Sequence, residues 1–263
     1  MVKIEQDICI GCGACIKDCF GRALALEDGK AKVTRPCMEC GHCVALCPAG
    51  AVSIPEYDME DVEEYDAETF CVRPENMLHA VKFRRSIRNY RPDKVEKEKA
   101  EHILDAGRYS ATARNLQGCT FVFVQEDLEV FKQLLWEEMP ELLKQLKKTA
   151  PVYARIFSGF YEKWKADPKA DDLFFNSPAF LVIASDNPLD GGLAAANIEN
   201  VAAAEGLGAL YSGYLMRIVS ARPALREWLG IGEKAVSCCM LLGYPAVTYL
   251  RTAPRRKGDI IWK

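Results

Sequence analysis

The sequence predicts an α+β protein in two parts: a small cysteine-rich module, then a larger domain with a central sheet flanked by helices. Eight of the twelve cysteines lie between positions 9 and 47. An acidic run follows at 56–68, and beyond it apolar runs typical of strands alternate with amphipathic helices. The predicted boundaries are 1–55 for the module, 56–73 for a linker and 74–263 for the larger domain.

The composition is that of an ordinary globular protein. Of the 263 residues, 49% are hydrophobic and 27% are charged, which argues against extensive disorder. The net charge of −3 provides no basic field for nucleic acid. The longest apolar helical run, 193–216, contains Glu199 and Glu205, which excludes a membrane-spanning helix there. With no apolar signal region before the cysteines, we expect a soluble cytoplasmic protein without nucleic-acid or membrane partners.

The N-terminal cysteines belong to two copies of one motif. CIGCGACIKDCFGRALAL (9–26) aligns with CMECGHCVALCPAGAVSI (37–54) at a period of 28 residues, and all four cysteines match. Each copy predicts a cysteine loop, a short helical turn and an apolar strand. Between the copies, apolar and polar residues alternate around Asp28-Gly29, which predicts a hairpin. So small a module has too little core to fold without internal staples.

The spacing within each copy is C-x2-C-x2-C-x3-C, and Pro48 follows the second copy. Three thiolates on one tight loop can hold three corners of an iron–sulfur cubane, and the fourth ligand then comes from the other copy. Two structural zinc sites are the alternative, although zinc ribbons normally use separated CxxC pairs. A disulfide framework would need an oxidising compartment, for which the sequence carries no address.

With both motifs complete, residues 1–55 resemble a bacterial two-cluster ferredoxin. The resemblance implies two [4Fe-4S] clusters. Their implied ligands are Cys9, Cys12, Cys15 and Cys47 for the first cluster, and Cys37, Cys40, Cys43 and Cys19 for the second. Phe20 is a departure, because proline usually follows the fourth cysteine in this family. His42, inside the second loop, is interpreted as a neighbour of the cluster or a surface residue and not as a ligand.

Residues 56–68 carry eight acidic residues and no basic residue. We interpret them as a solvated linker, and an acidic docking strip for a partner protein is the alternative. Residues 1–55 contain six acidic and six basic residues. The positive charge that offsets the linker therefore lies in the second domain, which is mildly basic.

The second domain shows a clear alternation of patterns. Helical spacing of apolar residues predicts three helices, over 75–83, 94–107 and 194–207. Continuous apolar runs predict three buried strands, over 119–125, 179–185 and 235–243. A long helical insertion, about 127–166, separates the first two strands. Its aromatic residues are expected to pack on the core, with a pocket lining as the alternative.

Two basic segments lie far apart in this domain. Arg84-Arg85-Ser86-Ile87-Arg88 follows the first predicted helix, and Arg255-Arg256-Lys257 lies near the end of the chain. Either segment alone could be a surface patch. Arginine binds phosphate through two parallel N–H groups, so both segments on one phosphate would suit a cofactor. Because Tyr211 stands where a dinucleotide fingerprint has its third glycine, a mononucleotide such as FMN fits better.

Four segments in order resemble landmarks of the nitroreductase family of FMN enzymes, and the resemblance covers most of residues 75–263. The segments are RRSIRNY (84–90), SATARNLQGC (110–119), AAANIENVAAAEGLGALYSG (194–213) and GYPAVTYLRTAPRRK (243–257). The tryptophan that usually follows the second landmark is missing at Gly118-Cys119, which implies a different pocket wall.

The resemblance also implies which residues bind FMN. They are Arg84, Arg85, Ser86 and Arg88 at the ribityl phosphate and flavin edge, Arg255, Arg256 and Lys257 at the phosphate, and Gly213 near the ring. Ala111, Thr112 and Asn115 match a loop that reaches FMN from the other subunit in this family. A homodimer is therefore implied.

Iron–sulfur clusters pass single electrons, whereas a flavin accepts electrons singly and releases a pair. The two resemblances together imply an FMN-dependent oxidoreductase fed by an external one-electron donor such as ferredoxin. The flavin ring, and no particular side chain, would carry the chemistry toward a small conjugated electrophile such as a nitroaromatic, a quinone or an enone. The alternatives are an NAD(P)H-driven flavoprotein whose clusters export electrons, and a non-catalytic electron carrier.

Overall fold

The computed structural model describes all 263 residues and divides into two compact units. The first unit comprises Met1–Val72 with Ala113–Leu116, and the second comprises Arg73–Thr112 with Gln117–Lys263. The larger unit thus begins one residue before the predicted boundary. The stretch predicted as a separate linker belongs to the first unit as far as Val72. Near its start, Tyr57 N donates a hydrogen bond to Ile54 O at 2.8 Å.

Two small antiparallel sheets and two short helices build the first unit. In chain order the elements are β1 (Lys3–Ile4), α1 (Ala14–Asp18), β2 (Leu24–Glu27), β3 (Lys30–Val33), α2 (His42–Ala45) and β4 (Val52–Ser53). β1 pairs with β4, and β2 pairs with β3. Both copies of the repeat therefore contain the predicted loop, helical turn and strand.

The β2–β3 hairpin turns at Asp28 and Gly29, as predicted. Their φ angles are 52° and 78°, and two consecutive positive φ values are what a two-residue type I′ turn requires. The turn lies against the first cysteine loop, where Gly11 has a φ of 69° and an added Cβ would lie 2.1 Å from Gly29 O. Glycine at position 11 is therefore required for the loop and the hairpin to approach each other.

Cysteines form part of the core of the first unit. Its buried residues are Val2, Cys9, Cys15, Leu24, Ala31, Cys43, Ala51, Val52 and Ile54. Three of these nine side chains are predicted cluster ligands. The apolar side chains alone make a small core, in agreement with the expected need for staples.

The second unit is an α+β domain around a four-stranded antiparallel sheet. Its helices are α3 (Pro74–Phe83), α4 (Lys97–Arg108), α5 (Leu128–Thr149), α6 (Pro151–Ala166), α7 (Pro188–Ala204), α8 (Gly213–Ala221) and α9 (Pro223–Trp228). Its strands are β5 (Thr120–Val124), β6 (Ala179–Ala184), β7 (Gly208–Tyr211) and β8 (Val236–Gly243). The strand order is β5-β6-β8-β7. In this register Val182 lies opposite Val122 on one side and Cys239 on the other.

The sheet is covered by helices on both faces. Phe180 and Val182 pack in a cluster with side chains of α5, α6, α8 and α9. Leu181 and Ile183 point to the other face and pack with side chains of α4 and α7. Burial of both faces explains why β6 reads as one continuous apolar run, since no side of it meets water.

The structure confirms the three predicted strands, the three predicted helices and the helical insertion, which is α5 and α6. α7 begins at Pro188, before the predicted start at 194. β7, α8 and α9 are additional elements that the sequence patterns did not predict. α3 contains no buried residue, so its apolar face is exposed. No helix is both long enough and apolar enough to cross a membrane.

Candidate cofactor sites

One cavity in the first unit is surrounded by four predicted cluster ligands. Cys9, Cys12 and Cys15 of the first loop and Cys47 of the second loop line it together. The structure therefore brings together the quartet that the resemblance implied, including the ligand that crosses over from the other copy.

The second quartet is centred on the second loop. Burial, together with the neighbouring Cys37 and Cys40, raises the pKa of the Cys43 thiol to about 11. Cys19 follows α1 in the first copy. Beside Cys19 and Cys43, the side chains of Asp18 and His42 meet at 2.9 Å between Oδ2 and Nδ1.

Backbone N–H groups point at sulfur atoms in both copies. The N–H groups of Ala23, Glu39 and Ala51 each lie 3.3 Å from a sulfur atom, that of Cys19, Cys37 and Cys47 respectively. Hydrogen bonds of this kind stabilise thiolates and adjust the reduction potential of a cluster. Four cysteines around the first cavity, and amides directed at sulfur in both copies, therefore fit [4Fe-4S] ligation. Across the 263 residues no three Cys, His, Asp or Glu side chains are arranged to hold a single metal ion.

In the second unit, the segment Arg84–Arg91 runs along β7, an edge strand of the sheet. Ser86 forms a parallel bridge with Ala209, and Ile87 N donates to Ala209 O at 3.0 Å. An added Cβ at Gly208 would lie 2.3 Å from Ile87 Cγ1. Glycine at this position therefore allows the segment to pack directly on the strand.

The same segment also meets the chain that follows β8. Ala246 N donates to Asn89 O at 2.9 Å. The guanidinium carbon of Arg85 lies 6.0 Å from the ring centre of Tyr249, a long cation–π contact. The structure thus brings the first basic segment together with the beginning of the fourth landmark.

The second basic segment is placed differently. Arg255, Arg256 and Lys257 lie in the exposed C-terminal tail. No hydrogen bond or ion pair joins them to the first basic segment, and Arg255 Nη1 reaches only the carbonyl of Pro254, at 3.3 Å. Within one chain, the predicted meeting of both segments on one phosphate is therefore not formed.

Arg84 pairs with a buried acid that the sequence analysis did not assign to the site. Its Nη1 donates to Glu199 Oε1 at 2.9 Å, and Glu199 on α7 is 7% exposed. Burial raises the pKa of Glu199, and Arg84 opposes this shift. Burial, followed by the Glu199 charge, also raises the pKa of the nearby Cys238 thiol to about 12. The signal for this pair was the presence of an acidic residue within an otherwise apolar helix.

Arg85 and Arg88 form no ion pair in the structure. Arg88 Nη1 reaches the Ser86 carbonyl at 3.5 Å. Their guanidinium groups can therefore receive an anion, and with the Ser86 hydroxyl they supply donors of the kind that phosphate needs. Gly213 opens α8 directly after β7, and an added Cβ there would meet no atom within 4 Å. This donor set and the open backbone fit FMN.

The remaining predicted FMN segment divides between the two units. Ala111 and Thr112 belong to the second unit, whereas Asn115 belongs to the first, where its Nδ2 donates to Glu39 O at 3.0 Å. Three residues of this loop have positive φ values of 54°, 55° and 49°, namely Arg114, Asn115 and Gln117. Such conformations cost about 1–3 kcal/mol each and are often retained at functional loops. The FMN roles of Ala111, Thr112 and Asn115 stay predictions.

Comparison with known families identifies two matching models. The model of the nitroreductase family matches residues 81–244. The model of a 4Fe-4S dicluster domain matches residues 1–72.

The N-terminal part is similar to known ferredoxins. It is 48% identical over 54 residues to a ferredoxin of Pyrobaculum islandicum, covering 20% of this chain and 50% of that ferredoxin. It is 39% identical over 56 residues to a ferredoxin of Thermococcus litoralis, covering 20% of this chain and 95% of that ferredoxin. The chain thus spans half the length of the first of these relatives.

The second unit is similar in fold to solved nitroreductase structures. A nitroreductase with bound FMN from Bacteroides fragilis is 20% identical with a TM-score of 0.55, and the match covers 71% of this chain and 97% of that one. A nitroreductase with bound FMN from Desulfitobacterium hafniense is 19% identical with a TM-score of 0.56 and the same coverage. These likenesses confirm the nitroreductase-like α+β fold, and the family model spans more than half of the sequence. The chain therefore belongs to the nitroreductase family and carries a 4Fe-4S dicluster domain of the ferredoxin type at its N-terminus.

Proposed function

We propose that this protein is an FMN-dependent oxidoreductase that receives single electrons through two [4Fe-4S] clusters and reduces a small conjugated electrophile. A nitroaromatic, a quinone or an enone would be of the right class. The observation that carries the proposal is that one chain holds both a cage of four cysteines and a pair of arginines without acidic partners at a sheet edge. Two structures of similar fold contain FMN, which supports the same cofactor here.

Bound FMN would accept electrons singly and pass a pair to the acceptor. The residues of this chain bind and orient it. Arg85 and Arg88 supply charge and N–H donors for the phosphate, and Ser86 supplies a hydroxyl. Gly213, which the family resemblance places near the ring, would leave its backbone accessible there, because an added Cβ would meet no atom within 4 Å.

A one-electron donor such as a reduced ferredoxin is the proposed source of electrons. The ferredoxin-like unit provides an entry for single electrons, and the sequence has no dinucleotide fingerprint for a nicotinamide cofactor. The hydroxyl of Tyr211, which replaces the third glycine of such a fingerprint, donates to Ala195 O at 2.9 Å. Because thiolate ligands require a reducing compartment, we place the protein in the cytoplasm.

We further propose a homodimer, because three apolar or open surfaces of the second unit have no partner within the chain. α3 exposes four apolar side chains, those of Met77, Leu78, Val81 and Phe83. The C-terminal tail exposes Ile260, Ile261 and Trp262. The outer edge of β5 is unpaired and lies along a groove of about 730 Å³. Exposed apolar side chains that are grouped in this way often mark a protein interface.

The decisive experiment for electron entry compares two donors. Wild type and Cys12→Ser are assayed anaerobically at matched FMN occupancy, with reduced ferredoxin and with NAD(P)H, using a nitroaromatic acceptor. If the clusters are the entrance, Cys12→Ser loses at least tenfold of the ferredoxin-driven rate and keeps any rate from a donor that reduces FMN directly. Cys71→Ser is the matched control, because Cys71 is exposed and lies outside both cysteine motifs.

Each other outcome contradicts a stated part of the proposal. No loss with ferredoxin would show that the clusters are not the entrance. Loss of the NAD(P)H-driven rate alone would favour export of electrons through the clusters. An absence of acceptor reduction with both donors, in wild type loaded with FMN and iron, would favour the non-catalytic carrier.

A further inference from the structure

The last cysteines of the two loops have matching backbone surroundings. Ala23 N lies 3.3 Å from Cys19 Sγ, and Ala51 N, 28 residues later, lies 3.3 Å from Cys47 Sγ. These two amides therefore act equally on the two predicted clusters.

The first cysteines of the loops match in the same way. The backbone of Gly11 forms a hydrogen bond to Cys9. Glu39, 28 residues later, donates its N–H to Cys37 Sγ at 3.3 Å. The amides of Gly11 and Glu39 therefore act alike on the two clusters, whereas Cys9 accepts a further backbone hydrogen bond from Ala31, the residue after Lys30.

A lysine breaks this symmetry at the first loop. The tight turn at Asp28 and Gly29 starts β3 with Lys30, and the close approach of Gly11 to Gly29 O holds this turn against the loop. Lys30 Nζ donates to the Cys9 carbonyl oxygen, and its side chain forms no ion pair.

The strand registers identify the position equivalent to Lys30 in the other copy. Val33 pairs with Leu24 in one sheet, and Ile4 pairs with Val52 in the other. Three residues before Ile4 stands Met1, whose side chain carries no charge.

The charged groups near the second loop largely pair with each other. The amino group of Met1 meets Glu39 and Glu56. Asp18 and His42 meet each other at 2.9 Å. Arg22 and Arg35 lie near Cys19 and Cys37 in sequence, but no cation forms a side-chain hydrogen bond to this loop as Lys30 does to the first.

We propose that Lys30 makes the cluster held by Cys9, Cys12, Cys15 and Cys47 the more easily reduced of the two. Reduction adds one negative charge to a cluster, and a cation that contacts a ligand's carbonyl oxygen stabilises that charge more than the charge of the oxidised cluster. The inference rests on the two clusters of the proposed function. The new element is the order in which the two clusters are reduced, which the paired cysteine spacings alone do not predict.

The order of filling sets the resting place of an electron inside the first unit. One electron passes from the reduced cluster at Cys19, Cys37, Cys40 and Cys43 to the oxidised cluster at the other four cysteines. No bond is made or broken, and no proton is required. The second cluster would therefore be the transit site, and the cluster beside Lys30 would be the site where the electron is stored.

The test is an anaerobic potentiometric titration of the flavin-loaded protein, followed by electron paramagnetic resonance of the reduced clusters. Wild type should show two separate cluster midpoints. Lys30→Gln should lower the higher midpoint, so that the ratio of the two singly reduced forms shifts at least tenfold, about 59 mV for one electron. The lower midpoint should stay in place. Lys32→Gln is the matched control. It removes a lysine of the same strand, and this lysine pairs with Glu27 and Asp28 and not with the cysteine loop.

Several outcomes would overturn the inference. Coincident midpoints in wild type would do so without any variant. Equal shifts from Lys30→Gln and Lys32→Gln would show a general charge effect. Lys30→Arg should restore the wild-type midpoints, and its failure to do so would contradict a role for charge. Iron and sulfide are measured first, with about eight of each expected for two cubanes. Protein without clusters contradicts the proposed function, whereas loaded protein without the Lys30 shift contradicts only this inference.

Discussion

Arg84 and Arg85 are neighbours in sequence, but their charges meet different surroundings. Arg84 donates to the buried carboxylate of Glu199 at 2.9 Å, whereas Arg85 meets only the ring of Tyr249. Removing one partner of a buried pair typically costs about 3–5 kcal/mol, because the other charge stays buried and unpaired. We therefore infer that Arg84 fixes the segment on α7 and that Arg85 is available to bind phosphate.

Arg85→Ala should weaken FMN binding by about ten- to a hundredfold, because a charge-assisted hydrogen bond of roughly 1.5–3 kcal/mol is lost. Its melting temperature without FMN should stay close to that of wild type. Arg84→Ala should instead lower the melting temperature. Fluorescence titration of the apoprotein with FMN and thermal unfolding measure the two effects. Arg155→Ala, at an exposed arginine of α6, is the control. Full affinity in Arg85→Ala, or FAD as the isolated cofactor, would show that the phosphate assignment is wrong.

The cysteines could be assigned from the sequence because their chemistry depends on a fixed local spacing. The cavity also places Cys47 of the second loop beside the three cysteines of the first loop. Glu199 could not be assigned in this way, because it meets Arg84 across 115 positions of sequence. Helical periodicity shows that an acid lies in a buried helix but not which cation reaches it. The tail residues Arg255, Arg256 and Lys257 were also predicted to bind the phosphate. Within one chain they form no contact with the first basic segment.

Strands and helices were predictable where burial leaves a continuous pattern. β6 is buried at every residue, so its run of apolar residues was sufficient. β7 was missed because it has four residues and begins with glycine, which weakens any strand signal. α3 was predicted correctly as a helix, but its apolar face is exposed. An amphipathic pattern indicates that one face of a helix will be buried, but it does not show whether the covering surface belongs to the same chain.

The contact between the first cysteine loop and the β2–β3 hairpin allows a sharp test of the module. Gly11→Ala should prevent correct loading of the first cluster, because the new Cβ would lie 2.1 Å from Gly29 O and the φ of 69° disfavours alanine. Iron per chain should fall from about eight to about four or fewer. Gly21→Ala is the control within the same unit, since its Cβ would meet no atom within 4 Å. Full iron content in Gly11→Ala would contradict the required close approach.

The exposed apolar face of α3 is the proposed dimer interface that is most easily tested. Leu78→Glu should convert the proposed dimer to a monomer, because it would bury a charge in an apolar interface. Leu189→Glu is the matched control: Leu78 is 56% exposed and Leu189 is 66% exposed, but Leu189 belongs to the first turn of α7 and not to α3 or the tail. Multi-angle light scattering of the flavin-loaded proteins gives the masses. A monomeric wild type that retains FMN, or equal dissociation in both variants, would contradict this interface.

The core of the first unit has a consequence for the life of the protein in a cell. Three of its nine buried side chains, Cys9, Cys15 and Cys43, are thiols that a cluster would bind. Insertion of iron and folding of this unit are then one event. A chain made during iron shortage would expose its cysteine loops to proteases, while the second unit stays folded around its own sheet. The amount of intact protein would follow the iron supply after synthesis, so scarcity of the metal would remove the enzyme without any change in its gene expression.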